Sequence, residues 1–266
     1  MRYEIGITLR DKSNRLLTFD YKYAMSSFVY RTITNVNPRY GVFLHDSGFH
    51  ENRNGIKLFV FSDLFFQRTT ITQERDALYL VEDSGKFYFS SPVQDIIDCF
   101  IGNLFPGKVF FVNQKRLNFQ TEFVITSIKP VPEPAFSSEM TFSTVSPIII
   151  NHDERDGLPN TYISPSHTYY VDLVLSNLLK KYKATTGFDY FPVPYFSLTP
   201  LTEPKSRLSA VKDTRIRGFH FTFKLKAPIE LMKIAYDCGI GISNSMGFGM
   251  IEPAFIKKTG DISQTP

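Results

Sequence analysis

The sequence predicts an α+β protein of two tandem ferredoxin-like domains, each in the order β-α-β-β-α-β. Three observations carry that reading. Segments with the two-residue period of strands and the 3.6-residue period of helices follow one another in this order twice. Pro130, Pro132 and Pro134 form a stiff connector between the two series and place the domains at residues 1–129 and 135–266. The 266 residues suffice for two cores, and 26 Phe and 14 Tyr, with no Trp, supply the bulk. No sequence repeat is visible, so the repetition is one of architecture.

In the first series, Arg2 to Leu9 alternates with Tyr3, Ile5, Ile7 and Leu9 on one face. After a polar connector, Met25, Phe28, Val29 and Ile33 mark a helical face, and Gly41 to Gly48 reads as a glycine-flanked loop. Ile56 to Phe61 reads as the second strand. Ala77 to Glu82 and Lys86 to Phe89 read as further strands joined by Asp83-Ser84-Gly85. Ser91-Pro92, a cap followed by proline, opens a helix whose core stripe is Val93, Ile96, Ile97 and Phe100. Lys108 to Val112 and Phe119 to Ile128 complete the half.

The second series begins with Met140 to Ile150, interrupted by Pro147. A helix follows from Ser166 to Tyr182, with Tyr170, Val171, Val174, Leu175, Leu178 and Leu179 inward. Arg215 to Leu225 has a strand period, and Ser209-Ala210 begins its hairpin partner. Pro228 starts a short helix that runs to Asp237, and Gly249 to Ile256 is the last strand. Between them lies CGIGISNSMGFGMIE, residues 238–252. Two Gly-x-Gly pairs, Gly239/Gly241 and Gly247/Gly249, bracket a polar segment, residues 242–246. Glycine serves where φ must be positive or another backbone comes close, so this is a shaped loop. Its N–H groups suit phosphates, although the spacing matches neither the Walker loop nor the dinucleotide fingerprint. A buried helix-to-strand connection and a ligand-facing loop both fit.

Net charge is only +4, but it is concentrated. From Lys205 to Lys226, seven basic residues (Lys205, Arg207, Lys212, Arg215, Arg217, Lys224, Lys226) face one acidic residue, Asp213. The remainder is slightly acidic, so an anionic partner is drawn to one place. A solvated hairpin is the plainer alternative. Arg215 and Arg217 share a strand face with Phe219, Phe221 and Phe223. Either Gly218 marks a bulge that resets the faces, or the arginines extend past the sheet edge toward a ligand. Cys99 and Cys238 sit on apolar helical faces and read as small hydrophobes rather than a disulfide. No apolar run approaches the roughly 20 residues of a membrane span, and Met1-Arg2-Tyr3-Glu4-Ile5 leads straight into a strand, so a soluble cytoplasmic protein without membrane contact is expected. The five histidines are scattered and no carboxylates have ligand spacing, so neither a metal nor another cofactor is expected.

Four segments together resemble the repeat-associated RNA-binding (RAMP) superfamily of CRISPR systems, and most of all its pre-crRNA processing endoribonucleases. They are the G-φ-G-x5-G-φ-G loop near the C-terminus, Ser26-Ser27-Phe28-Val29-Tyr30 in the first helix, Phe43-Leu44-His45-Asp46-Ser47-Gly48-Phe49, and Lys57-Leu58-Phe59-Val60-Phe61-Ser62-Asp63. Order, spacing and position agree over most of the chain. The resemblance implies CRISPR repeat RNA as partner and substrate. It makes His45 the general acid/base, Tyr30 its companion on the helix and Lys57 the cation at the start of the second strand. The insert from His50 to Gly55 lengthens the approach to Lys57, leaving Arg53 as an alternative cation and His50 as a second proton carrier. Residues 242–246 carry no Lys or Arg. Phosphate contact there would rest on backbone N–H groups of the loop that holds Gly239, Gly241, Gly247 and Gly249, and on Ser243, Asn244 and Ser245. Arg207, Lys212, Arg215 and Arg217 would supply the rest. An effector complex and a homodimer are left open.

The chemistry suits these residue types. RNA carries its own nucleophile: a 2′-hydroxyl attacks the adjacent phosphate once a base removes its proton and an acid protonates the leaving 5′-oxygen. Histidine serves either task near neutral pH. A fixed cation stabilises the phosphorane, and no metal is needed. His152, His167 and His220 read as structural or exposed. A non-catalytic RNA-binding subunit would share the glycine loop and basic hairpin, and an assembly module would use both against a protein. The His45 segment with Tyr30 and Lys57 favours the enzyme.

Overall fold

The computed structural model describes residues 1–49, 55–72, 77–114, 119–151, 162–211, 214–256 and 262–264. His50, Arg53, His152, Lys212 and Asp213, all named above, lie outside these.

The first half runs β1 (Arg2–Leu9), β2 (Leu16–Thr18), α1 (Tyr21–Val36), α2 (Pro38–Asp46), β3 (Val60–Phe61), β4 (Phe65–Phe66), β5 (Thr69–Thr72), β6 (Ala77–Leu80), β7 (Ser84–Ser90), α3 (Gln94–Phe100), β8 (Val109–Gln114) and β9 (Phe119–Val131). Its main sheet has the order β3-β7-β1-β9-β8, antiparallel throughout, with β4 also on β7. Strands β1, β3, β7 and β9 give the ferredoxin-like order, and β8 adds an edge. A small sheet, β2-β6-β5, stands apart. Ile5, Ile7, Phe87, Phe89, Phe110 and Phe123 of the main sheet meet Met25, Phe28 and Val29 of α1 and Ile96 and Phe100 of α3 in one core. Rings lock it: Phe28 stacks on Phe110 at 4.5 Å, and Phe89 meets Phe100 at 4.4 Å.

The second half runs β10 (Glu139–Thr144), α4 (Tyr170–Thr186), β11 (Ser197–Pro200), β12 (Lys205–Val211), β13 (Thr214–His220), β14 (Thr222–Lys226), α5 (Ile229–Cys238), β15 (Ile251–Ile256) and β16 (Ile262–Gln264). The sheet order β11-β14-β10-β15-β16 repeats the pattern, with β12 and β13 as a separate hairpin inserted before β14. Tyr170, Val174 and Leu178 of α4 and Leu231, Met232 and Ala235 of α5 pack with Phe142, Phe223 and Leu225. Among the described residues no helix is long and apolar enough to cross a membrane. Cys99 and Cys238 are buried and free.

The structure departs from the sequence reading at several places. Gly41 to Gly48 is mostly helix, not loop. Asn37 caps α2 by accepting the Tyr40 N–H at 3.1 Å, and Pro38 occupies its first turn. Gly41 permits close packing on α1, because a Cβ there would lie 2.2 Å from Thr34 Oγ1. The second strand is reduced to Val60–Phe61, since Leu58 has φ of 50°, which no strand continues through. Ser91 accepts the Val93 N–H at 3.1 Å in a turn, and α3 begins only at Gln94. The α4 helix starts at Tyr170 and ends at Gly187, whose φ is +80°. The strand from Arg215 to Leu225 is broken at Phe221, and its hairpin partner begins at Lys205.

The halves are joined by buried polar contacts as well as by apolar ones. Arg2 of β1 is buried and donates to the Tyr236 carbonyl at 2.5 Å and the Ile251 carbonyl at 2.8 Å. Its guanidinium lies 3.5 Å from the centre of the Tyr236 ring. Truncating it leaves two carbonyls unpaired, so Arg2→Ala is expected to cost about 3 kcal/mol in denaturant unfolding. Arg10→Ala, which removes a surface ion pair to Glu122, is expected to stay within about 1 kcal/mol.

Candidate active site

Three side chains named from the sequence converge where α1, α2 and the segment before β3 meet. His45 lies in the last turn of α2, its side chain 74% exposed, and its Nδ1 is 2.7 Å from Asp46 Oδ1. A carboxylate can only accept, so Nδ1 carries the hydrogen and Nε2 is left free. Tyr30 of α1 meets the imidazole edge-on, ring centres 5.7 Å apart, and rests on Phe59 at 5.6 Å. Lys57 Nζ donates to the His45 carbonyl at 2.9 Å.

Glycine sets the position of Lys57. The Phe49 N–H donates to the Ile56 carbonyl at 2.8 Å, closing the two chain segments against each other. A Cβ on Gly55 would overlap the Ser47 carbonyl at 1.3 Å. Burial lowers the Lys57 pKa, and Asp46 acts in the opposite direction. Burial raises that of the Tyr30 hydroxyl, and the nearby Ser245 side chain acts in the opposite direction. That neighbour brings in the glycine loop, because Ser245 belongs to the other half.

The glycine loop proves to be both a packed connection and a surface. Gly239, Gly241, Gly247 and Gly249 are buried, with φ between 77° and 84°, whereas residues 242–246 are half-buried. Ile240 N–H bonds the Gly249 carbonyl at 2.8 Å, Gly249 N–H the Pro147 carbonyl at 2.8 Å, and Ile242 N–H the Ile149 carbonyl at 3.0 Å. Asn244 spans the loop, donating from Nδ2 to the Ile240 carbonyl at 3.2 Å and the Phe248 carbonyl at 2.9 Å.

Two buried lysines that sequence reading missed hold this loop. Lys22 of α1 donates to Asp63 and, at 2.6 Å, to the Gly247 carbonyl; its ammonium lies 4.7 Å from the Phe248 ring centre. Beside it, the Ser26 hydroxyl donates to the Ser245 carbonyl at 2.8 Å. From the opposite side, Lys181 of α4 donates to the carbonyls of Gly239 and Gly241 at 2.7 and 2.9 Å and to Asn244 Oδ1 at 2.7 Å. A signal existed in each case. Lys22 is in phase with Met25 and Val29, and Lys181 with Val174 and Leu178, so both are cations on core stripes.

The basic segment divides. The hairpin register is continuous across Gly218, so there is no bulge; Arg215 and Arg217 lie exposed on the part that extends past the five-stranded sheet. Gly218 instead admits the neighbouring chain, since a Cβ would lie 2.7 Å from Pro147 Cβ. Arg207 turns toward α1, 5.7 Å from the Phe19 ring centre. Lys224 and Lys226 both pair with Glu139, whose pKa they hold at about 2. At the hairpin base, Ile216 packs with Ile149 and Phe248, against which Ile242 and Met246 of the loop also rest. His220 Nδ1 lies 3.0 Å from Thr144 Oγ1, and burial lowers its pKa. Among the described residues, no three His, Cys, Asp or Glu side chains gather as a metal site requires.

Gly241 tests the loop packing. A Cβ there would lie 2.2 Å from the Ile149 carbonyl on a backbone with φ of +77°. Gly241→Ala is expected to destabilise by about 2–4 kcal/mol, whereas Gly102→Ala, with open space around its Cβ, stays within about 0.5 kcal/mol. Thermal unfolding checks both.

Comparison with known proteins agrees with this architecture. The chain is 27% identical over 250 residues to "CRISPR-associated endoribonuclease Cas6 1" of Methanocaldococcus jannaschii, covering 93% of this chain and 91% of that protein. It is 24% identical over 266 residues to "CRISPR-associated endoribonuclease Cas6" of Pyrococcus furiosus, covering 99% and 94%. In fold it is similar to a solved structure described as "Characterization of a Cas6-related gene from Pyrococcus furiosus", with a TM-score of 0.81 at 23% identity over 95% of this chain and 98% of that one. The family model "CRISPR-associated protein Cas6, N-terminal" matches residues 16–128, and "CRISPR associated protein Cas6, C-terminal" matches residues 130–253. With both portions present in order over most of its length, the chain belongs to the Cas6 family of CRISPR-associated proteins.

Proposed function

We propose that this protein is an endoribonuclease that cuts CRISPR repeat RNA by attack of the 2′-hydroxyl on the adjacent phosphate, without a metal ion. The observation that carries the proposal is the convergence of Tyr30, His45 and Lys57 beside Ser245 of the glycine loop. Membership of a family with curated relatives called endoribonucleases supports it. The N-terminal domain, residues 1–129, would carry the reacting groups, and the C-terminal domain, residues 135–266, the hairpin and the loop.

In this mechanism His45 Nε2, freed by the Asp46 contact at Nδ1, takes the 2′-hydroxyl proton. The new bond from the 2′-oxygen to phosphorus forms as the bond to the 5′-oxygen breaks. The leaving oxygen takes a proton, for which the Lys57 ammonium and the Tyr30 hydroxyl are the donors the site offers. Products are a 2′,3′-cyclic phosphate and a 5′-hydroxyl. Charge on the phosphorane is met by Lys57 and by the Tyr30 and Ser245 hydroxyls. Arg207, Arg215 and Arg217, with loop N–H groups and Ser243 and Ser245, would hold the backbone of the repeat, while Asn244, its amide engaged inside the loop, keeps that segment in shape.

Cleavage of the host's repeat RNA in excess EDTA tests the reading. Wild type is expected to cut at one site, and RNA with a 2′-deoxy nucleotide upstream of that site should survive. His45→Ala is expected to bind while cutting about 10²- to 10⁴-fold more slowly. Tight binding without cleavage by wild type would favour a non-catalytic RNA-binding subunit. Affinity indifferent to salt would instead favour a protein-assembly role.

A further inference from the structure

Lys181 is 2% exposed and stands in the core stripe of α4 below Leu178. All three of its ammonium hydrogens point into the glycine loop, toward two carbonyl oxygens and one amide oxygen. Lys22 has Asp63 as counter-ion, but among the described residues no carboxylate pairs with Lys181. A buried ammonium without a counter-ion is costly, and an apolar side chain would fill this stripe with no such penalty. The segment above it, residues 242–246, is half-buried and contains no charged residue. Its path to the reacting groups is short. Lys181 holds Asn244, the next residue is Ser245, and Ser245 meets Ser26 through its carbonyl and Tyr30 through its side chain.

We propose that Lys181 is a positioning residue for the RNA site: it fixes Asn244 and Ser245, and its unpaired charge makes residues 242–246 the seat of an RNA phosphate. This rests on the RNA-cutting reading above. The phosphate becomes the missing counter-ion, acting across the loop rather than touching the lysine. The field of the ammonium itself acts across the width of the loop, Lys181 Nζ lying 2.7 Å from Asn244 Oδ1 within the segment.

The titration of Lys181 gives the site a signature. Burial pulls its pKa down to about 7, and Cys238 on α5 acts in the opposite direction. Cys238 is itself pushed up to about 12, so it stays a neutral thiol, and on the far side of the loop Lys22 is paired with Asp63. Free protein therefore loses the Lys181 charge as pH rises through 7. A bound phosphate favours the charged form, so binding takes up a proton and affinity falls with rising pH.

The experiment uses full-length His45→Ala protein, which keeps the RNA uncut. Its lysines are labelled with ¹³C at Cε, and the Lys181 signal is identified by its loss in Lys181→Arg. The midpoint of that signal is followed with and without repeat RNA, and RNA affinity is measured by anisotropy from pH 6.5 to 8.5. The midpoint is expected to move up by at least one pH unit on binding, and affinity to fall about tenfold across the range. Lys181→Met should bind more weakly with a flat pH profile, whereas loss of mere support would weaken binding equally at every pH. RNA that binds without moving the Lys181 midpoint overturns the proposal, as does Lys181→Met with unchanged affinity and pH profile. If Lys181→Met does not fold, the titration of the intact lysine decides alone. If no RNA binds, the titration is repeated with inorganic phosphate. Movement then sinks the RNA reading but keeps the anion seat, and no movement overturns both.

Discussion

The glycine-rich loop has to pass between two packed domains where there is no room for side chains, and the site depends on how it does so. Cβ atoms at Gly239, Gly241, Gly247 and Gly249 would each lie within 2.8 Å of a neighbouring atom, and all four have positive φ. The loop backbone is thus pressed against Phe61 of the first half and Ile149 of the second. Its oxygens are held by one buried lysine from each half, Lys22 and Lys181. Docking of the domains and shaping of the loop are therefore one event. Tyr30 gains its Ser245 neighbour only when both have happened. Two buried ammonium groups are a poor route to stability, but they admit one loop geometry and penalise others.

Much of the fold was legible because both halves follow simple periods. The core stripes of α1 and α4 and the strand faces of β1 and β14 come directly from residue spacing. What failed was local punctuation. Gly41 and Gly48 read as loop boundaries, yet Gly41 is a helical residue that lets α2 lie against Thr34. Such a role is invisible until the neighbour is known. Lys22 and Lys181 were legible in principle, since each keeps phase with an apolar stripe. A cation in that phase asks for oxygen partners, and the partners lie 225 and 58 or more residues away in sequence. The link from Ser245 to Tyr30 has the same non-local character.

The two parts of the basic segment do different work because the hairpin leaves the sheet. Lys224 and Lys226 are tied up with Glu139 inside the domain and leave little field for a ligand. Arg215 and Arg217 project beyond it and keep their charge available. Ile216 between them is buried with Phe248, which makes the hairpin base an extension of the loop. A polyanion drawn to those arginines would arrive beside residues 242–246 rather than at an unrelated surface. Capture by long-range charge and placement by short-range hydrogen bonds then occur on contiguous structure.

Lys57, proposed above as the cation of the site, shows how a position can be insulated from variation in the chain that leads to it. In the sequence, the insert from His50 to Gly55 lengthens the approach and leaves Arg53 as a rival cation. Residues 50–54 lie outside the described structure, but both of their flanks are fixed. Phe49 is bonded to Ile56, and Gly55 fits against the Ser47 carbonyl only because it has no side chain. The crossing closes before Lys57 is reached, and the lysine is then held by the His45 carbonyl. Its place is set by the end of α2, the element that also carries the histidine. Cation and imidazole therefore move together, and the length of the insert does not enter their geometry.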